Sequence, residues 1–192
     1  MSLKHAILGF LSAQPLSGYD LKKVFDRSVR HFWPANQSQI YRELSRLMED
    51  DLVTQEVIER EDRLDKKIYH ITDAGSKELH RWLSTPLPPQ DYRDPALIQI
   101  HFGGRMTDEK MIVLLRHEMA DLEAAQAQFA EMYAMYQEIL SHQEGRTDLF
   151  FNVLTLEYGI LTNQATLKWV RSMLERLENG DYHPLSFDEL TN

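Results

Sequence analysis

Seven side chains in or beside the stretch NQSQIYRELSRLMEDDLV, residues 36–53, have the types and spacing to recognise a polar, anionic surface. At 100° per residue Ile40, Leu44, Leu47 and Met48 share one side of a helix. Ser38, Arg42, Ser45, Arg46 and Glu49 point the other way, with Gln39 at the margin and Gln37 in the first turn. Tyr41 lies beside the apolar stripe, where its ring packs while its hydroxyl reaches outward. An arginine fork donates two parallel hydrogen bonds, glutamine presents a donor beside an acceptor, and serine adapts to either. A helix that only packs requires the apolar side alone, and the polar side by itself also describes an ordinary solvated face.

Other constellations carry less chemistry. His117 and Asp121 are four residues apart, as a metal pair on a helix would be, but no third ligand follows from spacing and a solvated face explains them better. Gly103-Gly104 lacks the strand–loop–helix setting of a phosphate-binding loop. There is no cysteine, which excludes disulfides, thiolate catalysis and cysteine-held zinc, and no nucleophile–base–acid set is visible. The expectation is a protein that is not an enzyme and uses no cofactor or metal.

The 192 residues allow one domain or two small ones, with 43% hydrophobic and 27% charged residues, as in folded soluble chains. No run approaches the roughly 20 apolar residues of a membrane span. Leu3, Ala6, Ile7, Phe10 and Leu11 have helical spacing and read as a packed first helix, not a signal peptide, so the cytoplasm is the expected compartment. The composition breaks at STPLPPQDYRDP, residues 84–95, whose four prolines predict neither helix nor strand. This divides the chain into residues 1–85, a linker at 86–95, a helical domain at 96–180 and a tail at 181–192. The net charge of −9 argues against a nucleic-acid partner until it is located. Residues 1–85 hold 13 Lys and Arg against 13 Asp and Glu, and residues 86–192 hold 8 against 17. A neutral half with its positive charges on one face still binds phosphates.

The first half reads as helix, helix, helix, hairpin, helix. The first helix runs from about Leu3 to Ala13 and ends before Pro15. Ser17 caps the second, with Asp20 in the place of a capping-box glutamate, and Leu21, Val24 and Phe25 face inward. Asn36 caps the third. The period then switches to two: 52–59 and 66–71 read as strands, and Thr72 caps a final helix over 72–83. That order is a winged helix-turn-helix, in which the third helix enters the major groove of double-stranded DNA. Arginine then bonds guanine O6 and N7, and glutamine bonds adenine. Arg63, Lys66 and Lys67 are the expected phosphate contacts of the wing, with few others, because Glu59, Glu61, Asp62 and Asp65 surround its tip.

LKHAILGFLSAQPLSGYDLKK, QIYRELSRLMEDDLV and KKIYHITDAGSKEL together resemble the PadR-like family of bacterial transcriptional regulators, over residues 3–83. Residues 93–180 resemble the helical C-terminal domain of its longer members, related to the virulence-activator type. The resemblance implies a homodimer on an inverted repeat, usually a repressor, released in many members by a small molecule such as a phenolic acid. It also places the DNA-reading helix on 37–48 and the wing on 58–67, although EREDRLDKK departs from the glycine-containing, basic wing turn of many relatives.

The second half shows two long heptad helices. Ile112, Leu115, Met119, Leu122, Gln126, Phe129, Tyr133, Tyr136 and Leu140 alternate in steps of three and four, as do Leu149, Val153, Leu156, Ile160, Asn163, Leu167, Val170, Leu174 and Leu177. Each seam has one polar interruption, Gln126 or Asn163, a pair suited to fixing register, and the short loop between the helices predicts an antiparallel pair. The seam is the expected dimerisation surface. Phe150, Leu154, Leu161, Trp169 and Met173 lie off it and also need covering. Two other functions fit part of the pattern. One is a winged-helix module that binds protein, which the acidic wing tip suits. The other is a ligand-binding helical dimer lined by Trp169, Tyr133, Tyr136 or Tyr158.

Overall fold

A computed structural model describes residues 2–59, 65–89, 91–142 and 147–191. The chain separates into two compact units, Met1–Gln90 and Asp91–Asn192.

The first unit is a winged helix of α1 (Ser2–Ala13), β1 (Leu16–Ser17), α2 (Gly18–Arg27), α3 (Gln37–Glu49), β2 (Val53–Ile58), β3 (Lys66–Ile71) and α4 (Asp73–Leu83). The caps are where the sequence places them. Asp20 N–H donates to Ser17 Oγ at the start of α2, and Gly75 N–H donates to Thr72 Oγ1 at the start of α4. Ile7, Leu8, Leu21, Ile40 and Leu44 are fully buried where α1, α2 and α3 meet, with Phe25 beside them. The strand β1 was not expected. It is only two residues long, so it has no readable period, yet Leu16 and Ser17 pair antiparallel with Tyr69 and Ile68 and make the hairpin a three-stranded sheet.

The ends of the unit are joined through α1 and α4. His5, 5% exposed, stacks on Trp82 with centroids 4.4 Å apart and bonds Glu78 at 3.1 Å. Arg81 bonds both oxygens of Glu78 and Lys4 lies 3.5 Å away. The Arg81 guanidinium first, then His5 and the nearby Lys4 charge, hold the Glu78 carboxyl down to about 2. A carboxylate depressed on folding stabilises the fold above its unfolded pKa of 4.5 and loses that contribution as pH falls toward 2. Between about pH 5 and about pH 3 the melting temperature should fall more steeply in the wild type than in Glu78→Gln. Parallel curves would show that this cluster contributes nothing to acid stability.

The second unit comprises α5 (Pro95–His101), a 3-10 turn at Gly103–Arg105, α6 (Asp108–His142), α7 (Thr147–Glu178) and α8 (Phe187–Thr191). The four prolines of residues 84–95 predict a helix-free linker that includes Pro95. Pro95 instead opens α5 at the first helical position, where its missing N–H costs nothing, and Asp94 accepts from Ala96 and Leu97 as the cap. Helices α6 and α7 run antiparallel, with Arg116 bonding Glu178 at 2.7 Å and Arg171 bonding Glu123 at 2.8 Å. Between them Asn163, 9% exposed, donates to Gln126 Oε1 at 3.0 Å and to Leu122 O at 3.1 Å. The two polar interruptions thus meet. A register slip of one turn would leave both amides facing apolar side chains.

The seam residues pack against one another within the hairpin. Phe129, Tyr133, Leu149, Val153, Leu156 and Ile160 pack in one cluster, and Ile112, Leu115, Met119, Leu122, Val170 and Leu174 in another, all within the one chain. Leu167 is likewise buried. The heptad pattern is satisfied by the hairpin itself, because its two helices are adjacent and antiparallel. Side chains off the seam stay exposed: Phe150 56%, Phe151 59%, Leu154 40% and Leu161 65%. Among the described residues no helix is long and apolar enough to cross a membrane.

Candidate nucleic-acid interface

Helix α3 is set by two local devices. Asn36 Oδ1 accepts from Gln39 N–H at 2.9 Å, and Gln39 Oε1 accepts from Asn36 N–H at 2.8 Å, a reciprocal capping box. Ile40, Leu44 and Leu47 then bury one face almost completely. With start and roll both determined, Gln37, Ser38, Gln39, Tyr41, Arg42, Ser45 and Arg46 are all exposed on the other.

They are not equally available. Arg42 makes no hydrogen bond or ion pair among the described residues. Arg46 lies 3.5 Å from Glu43, whose side chain is 12% exposed, so one of the two forks already faces a carboxylate. The sequence carries that signal as an i, i+3 pair of opposite charge. Gln39 has engaged its carbonyl oxygen in the cap, so its NH2 is the group left to donate to a base and a bidentate adenine contact would compete with the cap. Ser45 donates to Tyr41 O at 3.2 Å and keeps its lone pairs.

The wing residues divide in the same way. Lys66 forms an ion pair with Asp20 at 3.1 Å, and the Ser17 hydroxyl and then Lys66 hold the Asp20 carboxyl below its ordinary range. Lys67 is exposed and has no ion pair among the described residues. Arg63 lies outside the described residues. Tyr41, Lys66 and Lys67 come together at an open concavity of about 450 Å³, with Ser17, Gly18, Tyr19, Asp20, Asp65 and Tyr69 around it. Sequence spacing did not reveal Gly18 or Tyr19 as members, since only the docking of α2 on α3 and the sheet brings them there.

The aromatic residues of the second unit do not form one site. Tyr133 lines a groove with Gln126, Gln137, Glu157 and Ile160, Trp169 lines a separate concavity with Asp94, Leu97, Glu118 and Asp121, and Tyr158 is exposed. His117 pairs with Asp121 at 3.5 Å on an exposed face.

Comparison with known proteins adds the lineage. Residues 7–81 match the model of the transcriptional regulator PadR-like family, and residues 92–178 match the virulence activator alpha C-terminal domain. A probable transcriptional regulator of Mycobacterium tuberculosis is 30% identical over 93% of this chain and 98% of its own. The negative transcriptional regulator PadR of Bacillus subtilis is 29% identical over 92% and 97%. The crystal structure of that Bacillus protein with operator DNA aligns with a TM-score of 0.78 at 28% identity, covering 92% of this chain and 99% of the other. Its complex with p-coumaric acid aligns with a TM-score of 0.73 at 27% identity, covering 92% and 95%.

Proposed function

We propose that this chain, which belongs to the PadR-like family of transcriptional regulators, is a homodimeric, cytoplasmic repressor that reads an inverted repeat in double-stranded DNA through α3. The observation that carries this reading is the outer face of α3, where Arg42 is exposed and, among the described residues, uncommitted between Ser38 and Ser45 on a helix whose roll is set by its buried stripe. Arg42 reads a base, Ser38 and Ser45 bond base edges or phosphate, and Lys67 holds the backbone beside them. The Bacillus relative's name and its operator complex support the repressor role.

A dimer fits the exposed Phe150, Phe151, Leu154 and Leu161 of α7, which a second copy would cover. One short helix reads about one half-site, and a pair multiplies affinity and requires a palindrome. Release by a small aromatic effector fits the apolar concavity of about 380 Å³ between Met111, Leu115, Met173 and Leu177, a size that suits such a molecule. The Bacillus relative's complex with p-coumaric acid points the same way.

The test is selection of bound duplexes from a random DNA pool at about 0.15 M salt. Enrichment of an inverted repeat with half-sites about one helical turn apart is the expected result. A folded protein that enriches no sequence would overturn the reading.

A further inference from the structure

We propose that the apolar concavity of the second unit takes a small aromatic cation, an arylalkyl ammonium rather than a carboxylate, whose charge settles on Asp108 in place of the Tyr182 hydroxyl. The inference rests on the reading of this concavity as the effector site, and it supplies the sign of the ligand's charge and the contact that the ligand replaces.

The concavity of about 380 Å³ lies where the start of α6 meets the end of α7. Buried Met111 and Leu115 of α6 form part of its wall, and Met173 and Leu177 of α7 with Ile100 of α5 form the rest. Such a wall takes a hydrocarbon body, and its two thioethers adapt to the edge of a ring. Gly103 contributes by having no side chain: a methyl group there would stand 2.6 Å from Met111 Cε.

The polar side is made by the chain after α7. Gly180, with a left-handed φ of 65°, ends that helix, and Gly180 N–H and Asp181 N–H donate to Leu177 O at 3.2 Å and to Arg176 O at 2.8 Å. Asp181, Tyr182 and Pro184 then line the concavity as a strap. It is tied to both long helices, because Tyr182 Oη donates to Asp108 and Arg176 donates to His183 O at 3.2 Å.

Among the described residues, the charged groups that line the concavity are Asp108, Asp181 and Arg176, two carboxylates against one guanidinium. Arg176 also donates to Ser172 O at 3.3 Å, and its charge acts on Asp181. The His183 N–H first, and then the His183 ring, hold the Asp181 carboxyl below its ordinary range. Asp108 is different. It is half-buried in the first turn of α6, and its hydrogen-bond partner among the described residues is the neutral Tyr182 phenol. Glu109, another charge that acts on Tyr182, is acidic as well. An ammonium is a stronger partner for a carboxylate than a phenol is, so it displaces Tyr182 and loosens the strap. A carboxylate ligand would instead meet the excess negative charge.

The experiment is isothermal titration calorimetry of the full chain with phenethylamine and with hydrocinnamate, which share a ring and a two-carbon chain and differ in the sign of their charge. The wild type should bind the amine more tightly than the acid by about fivefold or more. Asp108→Asn should abolish that preference. Tyr182→Phe, at a side chain 68% exposed, should bind the amine several-fold more tightly than the wild type, because the phenol no longer competes for Asp108. Hydrocinnamate binding as tightly as the amine would overturn the charge assignment and leave the effector site standing. A preference kept in Asp108→Asn, or an amine bound no more tightly by Tyr182→Phe, would rule out the exchange at Asp108. Heat from neither compound at millimolar concentration would remove the effector site and the assignment together.

Discussion

Gly75→Ala should destabilise the N-terminal unit by about 3 kcal/mol, although alanine is the better helix former by about 1 kcal/mol. Gly75 is buried in the first turn of α4, and a methyl group there would stand 2.2 Å from the carbonyl oxygen of Leu52 and 2.9 Å from Ile71 Cγ1. A flexible side chain could move aside, but Leu52 O is backbone and is pinned. It accepts from Thr72 N–H at 3.1 Å, and Leu52 N–H donates to Leu47 O at 2.9 Å. Next to it Asp51 adopts a left-handed φ of 56°, and its carbonyl accepts from the Thr72 hydroxyl at 2.8 Å. Relief requires lifting α4 off the end of α3, which breaks the two Thr72 bonds together. The overpacking term therefore exceeds the propensity gain. Native-state hydrogen exchange of the α3 and α4 amides measures it, and unchanged or increased protection in Gly75→Ala would mean that α4 slides without cost.

Arg42→Ala should cost about 1–3 kcal/mol of discrimination at one base position, roughly a 5- to 140-fold loss, and much less elsewhere in the site. The expectation is this large because the guanidinium has no partner to give up among the described residues, and its helix is held by a capping box and three buried residues, Ile40, Leu44 and Leu47. Arg46→Ala should cost less, since Arg46 already faces Glu43. Competition of single-base variants of the enriched duplex against the parent sequence gives the profile. A loss spread evenly over all positions would mean that Arg42 holds phosphate, and no loss at all would move recognition away from the centre of α3.

Much of this was readable from local pattern. The caps at Ser17, Asn36 and Thr72, the buried stripe of α3, the hairpin and both long helices follow from periodicities and end signals that act over a few residues. Pro95 departs from that pattern because proline not only breaks helices but, after a capping aspartate, also starts them. The heptad seams are legible as apolar and the short loop as an antiparallel return, and the seams pack within the hairpin.

The amino-acid order alone thus determined the elements, the face of α3 turned outward and the polar pair Gln126 and Asn163. Tertiary structure decided which of those groups are still free. It committed the Gln39 oxygen to a cap, Arg46 to Glu43, Lys66 to Asp20 and the seam to the hairpin, and among the described residues it left Arg42 and Lys67 unpaired. It also laid Tyr41 on Gly18, 23 residues away in sequence. The physical reason is range. Propensity, capping and amphipathic period act within about one or two turns of chain, whereas the commitment of a charge or a ring depends on which distant segment packing brings within hydrogen-bond reach.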